Sequence, residues 1–280
     1  MGETDLPPLR EVIATHGLAA KKSLGQHFLL DLNITRKIAR MAEIGAGDVV
    51  LEIGPGPGGL TRALLETEAA AIIAIERDGR AVAALQDLKK VYGTRFHLIE
   101  ADAMDADEAA LIAQTGAKRA HIAANLPYNI STALLVKWLT VRPRWWASLS
   151  LMFQKEVADR ILAPPGSKTY GRLSVLSQAA AAPQRLFDLP ARAFTPPPKV
   201  ASAVVRFTSS EAPPDWLPNL SAVTAAAFSQ RRKMLRSSLK SVAPGGVETL
   251  LRAAGLEETA RAEDVSVEGY IALARASAKM

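Results

Sequence analysis

The 280-residue sequence contains no cysteine. That excludes disulfides, thiolate metal sites and a cysteine nucleophile. Its four histidines, His16, His27, His97 and His121, are scattered without metal-ligand spacing, so no metal site is expected. Long apolar runs are also missing. The longest uncharged one, residues 69–75, is far too short to span a bilayer. The amino-terminal stretch carries Glu3 and Asp5 and has no apolar signal core, so a cytosolic protein is expected rather than a secreted one. Acid is the scarcer charge: 28 Asp and Glu stand against 34 Lys and Arg, a net charge of +6 that favours a polyanionic partner, nucleic acid above all. With 49% hydrophobic and 22% charged residues, a packed core is expected rather than disorder.

What is present alternates between strand-like and helix-like patterns, the signature of an α/β fold. Apolar runs predict strands over 48–53, 70–75, 96–101, 121–124, 145–153, 184–189 and 200–207. Helical periodicity falls between them, over 34–42, 60–65, 81–91, 107–114, 133–139, 155–162 and 172–182. A short helix is expected near 9–16, and loops over 21–31 and 163–171. Residues 209–218 change to serine, proline and acid and read as a linker. Everything beyond is helical in pattern, over 220–239, 247–254 and 267–276. The expected organisation is an α/β domain over 1–208, with 1–45 as an amino-terminal extension, the linker 209–218, and a small all-α domain over 219–280.

The first of these strands runs into Gly54-Pro55-Gly56-Pro57-Gly58-Gly59 and then a helix. Strand, glycine-rich turn and helix open a nucleotide-binding βαβ unit, in which Gly54 and Gly56 let backbone approach a ligand closely. Glu76 ends the next strand about 20 residues on, where an acidic side chain accepts from ribose hydroxyls. A dehydrogenase would show much the same. The prolines in the turn, and Asp102 at the end of the third strand, argue instead for a cofactor whose ribose and adenine lie across successive strand ends. S-adenosylmethionine is such a cofactor. Asp102 and Glu76 each have a plainer reading, as a helix cap or a solvated strand end.

The fourth strand ends in Asn125-Leu126-Pro127-Tyr128. Ligands of open α/β sheets bind at that edge. Pro127 fixes its own φ and forces Leu126 into an extended conformation, which aims the Leu126 carbonyl. The Asn125 side-chain oxygen and that carbonyl suit the exocyclic amine of an adenine, and Tyr128 suits its ring. Accepting both amine hydrogens would localise a lone pair that the ring otherwise withdraws. Phe194 is a candidate for the other face of the base, or a core aromatic before a proline turn. Such a base must be unpaired or flipped out of a duplex. Taken alone, Asn125–Tyr128 reads equally as a strand-ending turn with a core tyrosine. The segment 229–240 holds Arg231, Arg232, Lys233, Arg236 and Lys240. As one continuous helix it would place Phe228, Leu235 and Leu239 on one stripe and Lys233, Arg236 and Lys240 on a flank able to follow phosphates, or to stand as solvated surface. Lys21 and Lys22 are further candidates for RNA contact, or are simply exposed.

These motifs together resemble the bacterial small-subunit ribosomal RNA adenine dimethyltransferases of the kasugamycin-resistance type. The resemblance covers about residues 20–275. It is carried by Lys22-Ser-Leu-Gly-Gln-His-Phe-Leu29, Leu51-Glu-Ile-Gly-Pro-Gly56, Asn125-Leu-Pro-Tyr-Asn-Ile-Ser131, Tyr170-Gly-Arg-Leu-Ser174, Phe194-Thr-Pro-Pro-Pro-Lys-Val200 and Phe228-Ser-Gln-Arg-Arg-Lys-Met-Leu235. It implies a Rossmann-like, seven-stranded class I methyltransferase sheet with its last strand antiparallel, plus a small helical domain. It implies dimethylation of two adjacent adenosines near the 3′ end of 16S rRNA, late in assembly of the 30S subunit. It also implies cofactor contacts from His27, Leu29, Gly54, Glu76, Asp102 and Asn125. Many relatives carry Asn where this chain has His27, which leaves the geometry of the contact with the cofactor's carboxylate end open. The alternatives are a 23S rRNA adenine dimethyltransferase of the macrolide-resistance type, less well matched over 194–200 and 228–235, and a 30S assembly checkpoint that acts mainly by binding. A DNA adenine methyltransferase fits less well still, since no separate target-recognition domain is visible.

Overall fold

The computed structural model describes residues 6–20, 26–208, 214–231 and 233–279. These residues form two compact units. One lies within Met1–Leu135, Trp145–Lys155 and Arg185–Thr208, the other within Val136–Arg144, Glu156–Gln184 and Ser209–Met280. The helical unit thus takes residues 156–184 from the middle of the chain as well as those after 209. Of the linker expected over 209–218, residues 209–213 lie outside the described residues, and a helix already begins at Leu217.

Nine strands follow in chain order: β1 Phe28–Leu29, β2 Val49–Ile53, β3 Ala71–Glu76, β4 Phe96–Glu100, β5 Ala120–Ala124, β6 Trp146–Gln154, β7 Ala182–Leu189, β8 Phe194–Thr195 and β9 Ser202–Thr208. Seven of them build one sheet in the order β4-β3-β2-β5-β6-β9-β7. The run from β4 to β6 is parallel, and β9 pairs antiparallel with β6. This is the seven-stranded methyltransferase-type sheet expected, with its last strand reversed. The chain adds strands outward from β2 to β4, then returns to the other side of β2 with β5. That reversal leaves a crevice beyond the carboxyl ends of β2 and β5, where open α/β sheets bind ligands.

The strands form where the sequence is apolar on both faces, as a covered parallel sheet requires. Every residue of β2 and β3 is buried. Some helices start where short polar side chains cap them. Asp31 accepts from the Asn33 amide at 2.9 Å, Asp78 from Arg80 at 3.1 Å and Asp107 from Ala110 at 3.0 Å.

Two helices depart from expectation. The one after β5 spans Tyr128–Thr140, so it begins five residues ahead of the start expected at 133 and Asn129–Thr132 belong to its first turns. The Pro127 carbonyl accepts from the Ile130 and Ser131 amides, each at 3.1 Å, and the Ser131 hydroxyl donates to the Tyr128 carbonyl. Small polar residues are at home in a first turn. The long helix expected over 220–239 is instead Leu217–Ser229, then a break, then Leu235–Ser238. Met234 bridges Arg261, and the Leu235 amide donates to the Ala260 carbonyl at 2.8 Å. Tertiary hydrogen bonds of this kind leave no local sign. Leu235 and Leu239 are nevertheless buried, and Lys233, Arg236 and Lys240 exposed. In the same unit Phe228 lies against Tyr170 and Tyr270, with ring centroids 6.0 and 5.5 Å away. The hydroxyls of those two tyrosines donate to the Val265 and Ala262 carbonyls, which lets the rings be buried without a stranded polar atom.

Glu52, in the middle of β2, is 1% exposed, and its Oε2 has no hydrogen-bond partner. Burial pushes its carboxyl up to about 8; the nearby Thr61 hydroxyl favours the charged form without completing a well-formed bond, and the Glu76 charge opposes it. The folded state therefore keeps a proton that the unfolded chain releases near its ordinary value of 4.5. Stability falls as pH rises between those two values and levels off above the upper one. Glu52→Gln is neutral at every pH. Its gain in urea midpoint over the parent protein should be small at pH 5 and larger at pH 8; an equal gain at both would show that Glu52 is not protonated in the fold.

Candidate active site

The crevice at the switch point is a cleft of about 770 Å³, counting the open solvent at its mouth, with walls that include Gly54, Gly56, Glu76, Asp102, Asn125 and Tyr128. Most of the catalytic and cofactor candidates from sequence thus converge on one place, these six at the carboxyl ends of four neighbouring strands, β2 to β5. The glycine turn fits because its backbone is left-handed at Gly56 (φ 55°), where a Cβ would also press on the Phe28 ring at 3.0 Å. The Gly56 amide donates to Glu76 Oε2 at 3.1 Å. Glu76 Oε1 accepts from the Arg77 and Asp78 amides, both at 2.8 Å. Burial pushes the Glu76 carboxyl up; the three backbone amides work against that shift and favour the charged form. Oε1 is thereby saturated, while Oε2 keeps one lone pair for a ligand hydroxyl.

Asp102 is more open. Its Oδ1 accepts from the Met104 amide at 2.9 Å, and its Oδ2 pairs with Arg77 at 2.9 Å. Arg77 is a cleft residue that sequence reasoning missed. An arginine directly after the strand-ending acid was the available sign.

Asn125 is held by an interaction of long sequence range. Its Nδ2 donates to the His27 backbone carbonyl at 2.9 Å. The side-chain oxygen then accepts no hydrogen bond among the described residues, and no amide of the following helix bonds the Leu126 carbonyl. Two acceptors from adjacent residues are thus left available at the cleft wall. The His27 ring also lines the cleft. Its Nδ1 lies 2.7 Å from the Pro196 carbonyl, which can only accept, so Nδ1 carries the hydrogen. A neutral ring in that tautomer presents Nε2 as a lone-pair acceptor. The Tyr128 ring stands 5.4 Å from His27, tilted by 30°. Its hydroxyl is 2.7 Å from the Ser202 hydroxyl.

Phe194 is not beside Tyr128. It is 2% exposed, does not line the cleft, and packs in the core of the first unit. The aromatic ring next to Tyr128 is His27. Leu29 is buried too; it pairs with Phe194 across the two-stranded β1–β8 sheet, and its carbonyl abuts Gly59, where a Cβ would collide with it. Among the basic candidates, Lys21, Lys22 and Arg232 lie outside the described residues. Arg231 pairs with Glu263 at 2.7 Å and donates to the Ser167 carbonyl, tying the 163–171 loop to the chain end within the helical unit.

The profile described as ribosomal RNA adenine dimethylase matches residues 17–279. A protein of Phenylobacterium zucineum named "Ribosomal RNA small subunit methyltransferase A" is 59% identical over 273 residues, 97% of this chain and 93% of its own. One of the same name from Ruegeria sp. is 56% identical, covering 98% of both chains. Among solved structures, a dimethyladenosine transferase from Plasmodium falciparum superposes with a TM-score of 0.71 at 25% identity, over 88% of this chain and 96% of that one. The 23S rRNA methyltransferase ErmE superposes at 0.67 over 89% and 98%, and at 24% identity it shares the fold.

Gly59→Ala tests the close approach behind the cleft. With Leu29 held in its strand pair, the added methyl should cost about 1–3 kcal/mol, read as a lowered urea midpoint. An unchanged midpoint would mean that the β1–β8 segment gives way freely.

Proposed function

The chain belongs to the ribosomal RNA adenine dimethylase family, and we propose that it transfers methyl groups from S-adenosylmethionine to the exocyclic amines of two adjacent adenosines in the 3′-terminal hairpin of 16S rRNA. The observation that carries the site assignment is Asn125: its donor is spent on the His27 carbonyl, so its oxygen is available to accept.

The cleft fits the cofactor. Glu76 Oε2 has a lone pair for a ribose hydroxyl, and Gly54 and Gly56 leave room for close approach. Asp102 supplies acceptors for the adenine amine, held in place by Arg77. The His27 Nε2 lone pair suits the ammonium of the amino-acid end; meeting the carboxylate would need a protonated ring. When bound, S-adenosylmethionine supplies an electrophilic methyl carbon on a cationic sulfur.

Asn125 Oδ1 and the Leu126 carbonyl accept from the two hydrogens of the target amine. They turn its lone pair out of the ring and stabilise the positive charge that develops on nitrogen. That amine becomes acidic only after attack, so the reading requires no dedicated base. Tyr128 carries the ring of the base, and Pro127 sets the angle between acceptors and ring.

The 23S alternative is disfavoured, since relatives at 55–59% identity over nearly the whole chain bear the small-subunit name. The finer reading is a monomer that acts on the immature 30S particle in the cytoplasm. The net charge of +6 supports the RNA-containing partner in that reading. RNA contact by the helical domain rests on Lys233, Arg236 and Lys240, which are exposed around the break in the expected helix.

Labelled S-adenosylmethionine and 30S particles lacking the modification should yield dimethyladenosine in the 16S 3′ region. Its absence there would overturn the assignment. Asn125→Ala should lower kcat by roughly 10²–10³, with a smaller fall in cofactor affinity and unchanged particle binding; full activity would refute the lone-pair argument. Changing Lys233, Arg236 and Lys240 together to Glu should weaken particle binding and flatten its salt dependence. Binding as tight as the parent's would reduce the three to solvated surface.

A further inference from the structure

Ser202 is the first residue of β9 and is fully buried. Its register partner is Gln154, the last residue of β6. Because β9 runs against the parallel strands, its beginning lies at their carboxyl edge, the edge where Asn125 and the cleft are. A parallel strand would have carried its first residue to the opposite edge. The reversed strand thus delivers a hydroxyl to Tyr128, a residue of the cleft wall, and among the described residues the Ser202 hydroxyl has one hydrogen-bond partner, the Tyr128 hydroxyl at 2.7 Å.

Ser202 is fully buried and Tyr128 partly so. A buried hydroxyl without a partner is costly, so Ser202 has strong reason to keep this bond. Tyr128 stands at the start of its helix, its backbone set by the turn after Pro127, and a tyrosine there has two free side-chain torsions. The hydrogen bond at the far end of the ring, with His27 alongside, removes that freedom. We propose that Ser202 is a positioning residue for methyl transfer: by holding the Tyr128 hydroxyl it fixes the plane on which the target base rests. This rests on the reading of Tyr128 as the ring that carries the base. Ser202 itself need touch neither substrate nor cofactor.

The test is a double-mutant cycle in the full-length protein, with unmodified 30S particles and S-adenosylmethionine. Displacing a base by a fraction of an ångström should lower kcat by about 10- to 100-fold in Ser202→Ala, with cofactor affinity within about twofold of the parent. Tyr128→Phe removes the same bond from the other side, and should lower kcat to a similar degree. The double variant should be no slower than the slower single one, and Ser202→Thr, which keeps the hydroxyl, should recover most of the loss. Independent, multiplicative losses would assign Ser202 a general structural role and overturn the inference, as would full kcat in Ser202→Ala. If Ser202→Ala does not fold, Tyr128→Phe and Ser202→Thr still decide: parental kcat in Tyr128→Phe overturns the inference. Tyr128→Ala separates the two levels. Full activity in that variant would remove Tyr128 from the site altogether, whereas a large loss there beside a parental Ser202→Ala would overturn only the role of Ser202.

Discussion

The bond from the Asn125 amide nitrogen to the His27 carbonyl is the constraint on which the site depends. An asparagine side chain is ambivalent, with a donor and an acceptor a bond apart, and chemistry at an amine needs only the acceptor. Fixing the nitrogen on a backbone carbonyl decides which end is offered. The same histidine bonds the Pro196 carbonyl through Nδ1 and lies beside the Tyr128 ring. Segments nearly 170 residues apart in sequence are thereby gathered at one residue. The short β1–β8 pairing supports the arrangement, since it joins Phe28 and Leu29 directly to Phe194 and Thr195.

The direction of the last strand has a similar consequence. Reversing β9 changes which end of the strand meets the carboxyl edge of the parallel strands. Ser202 and the proline-rich segment before it arrive beside the Asn125 turn for that reason alone. Phe194, from the same segment, packs into the core instead, and the ring beside Tyr128 comes from His27.

Two carboxylates on neighbouring strands are driven apart by their surroundings. Both are buried. Glu76 receives three backbone amides, which favour its charged form, while Glu52 receives no comparable support and is held protonated. The glycine turn supplies one of those three amides, from Gly56, so the turn that opens the cleft also stabilises the charged form of the acid on the neighbouring strand.

The alternation of elements, the glycine turn, the strand-ending acids and the Asn125–Tyr128 turn were legible in the sequence because each is a local pattern: a period, a spacing, a residue type at a strand end. Their meeting at one cleft follows from the parallel sheet that such patterns specify. Not legible were the break after Ser229, the partners of Asn125 and Tyr128, and which of its two readings Phe194 would take. Each depends on a hydrogen bond or a contact between residues far apart in the chain, and no local propensity reports such a bond. The sequence by itself determined which chemical groups the protein has and at which edge of the sheet they stand. Only the tertiary structure decided which atom of each group is left open to the cleft, because that depends on which of its other atoms the fold has already engaged.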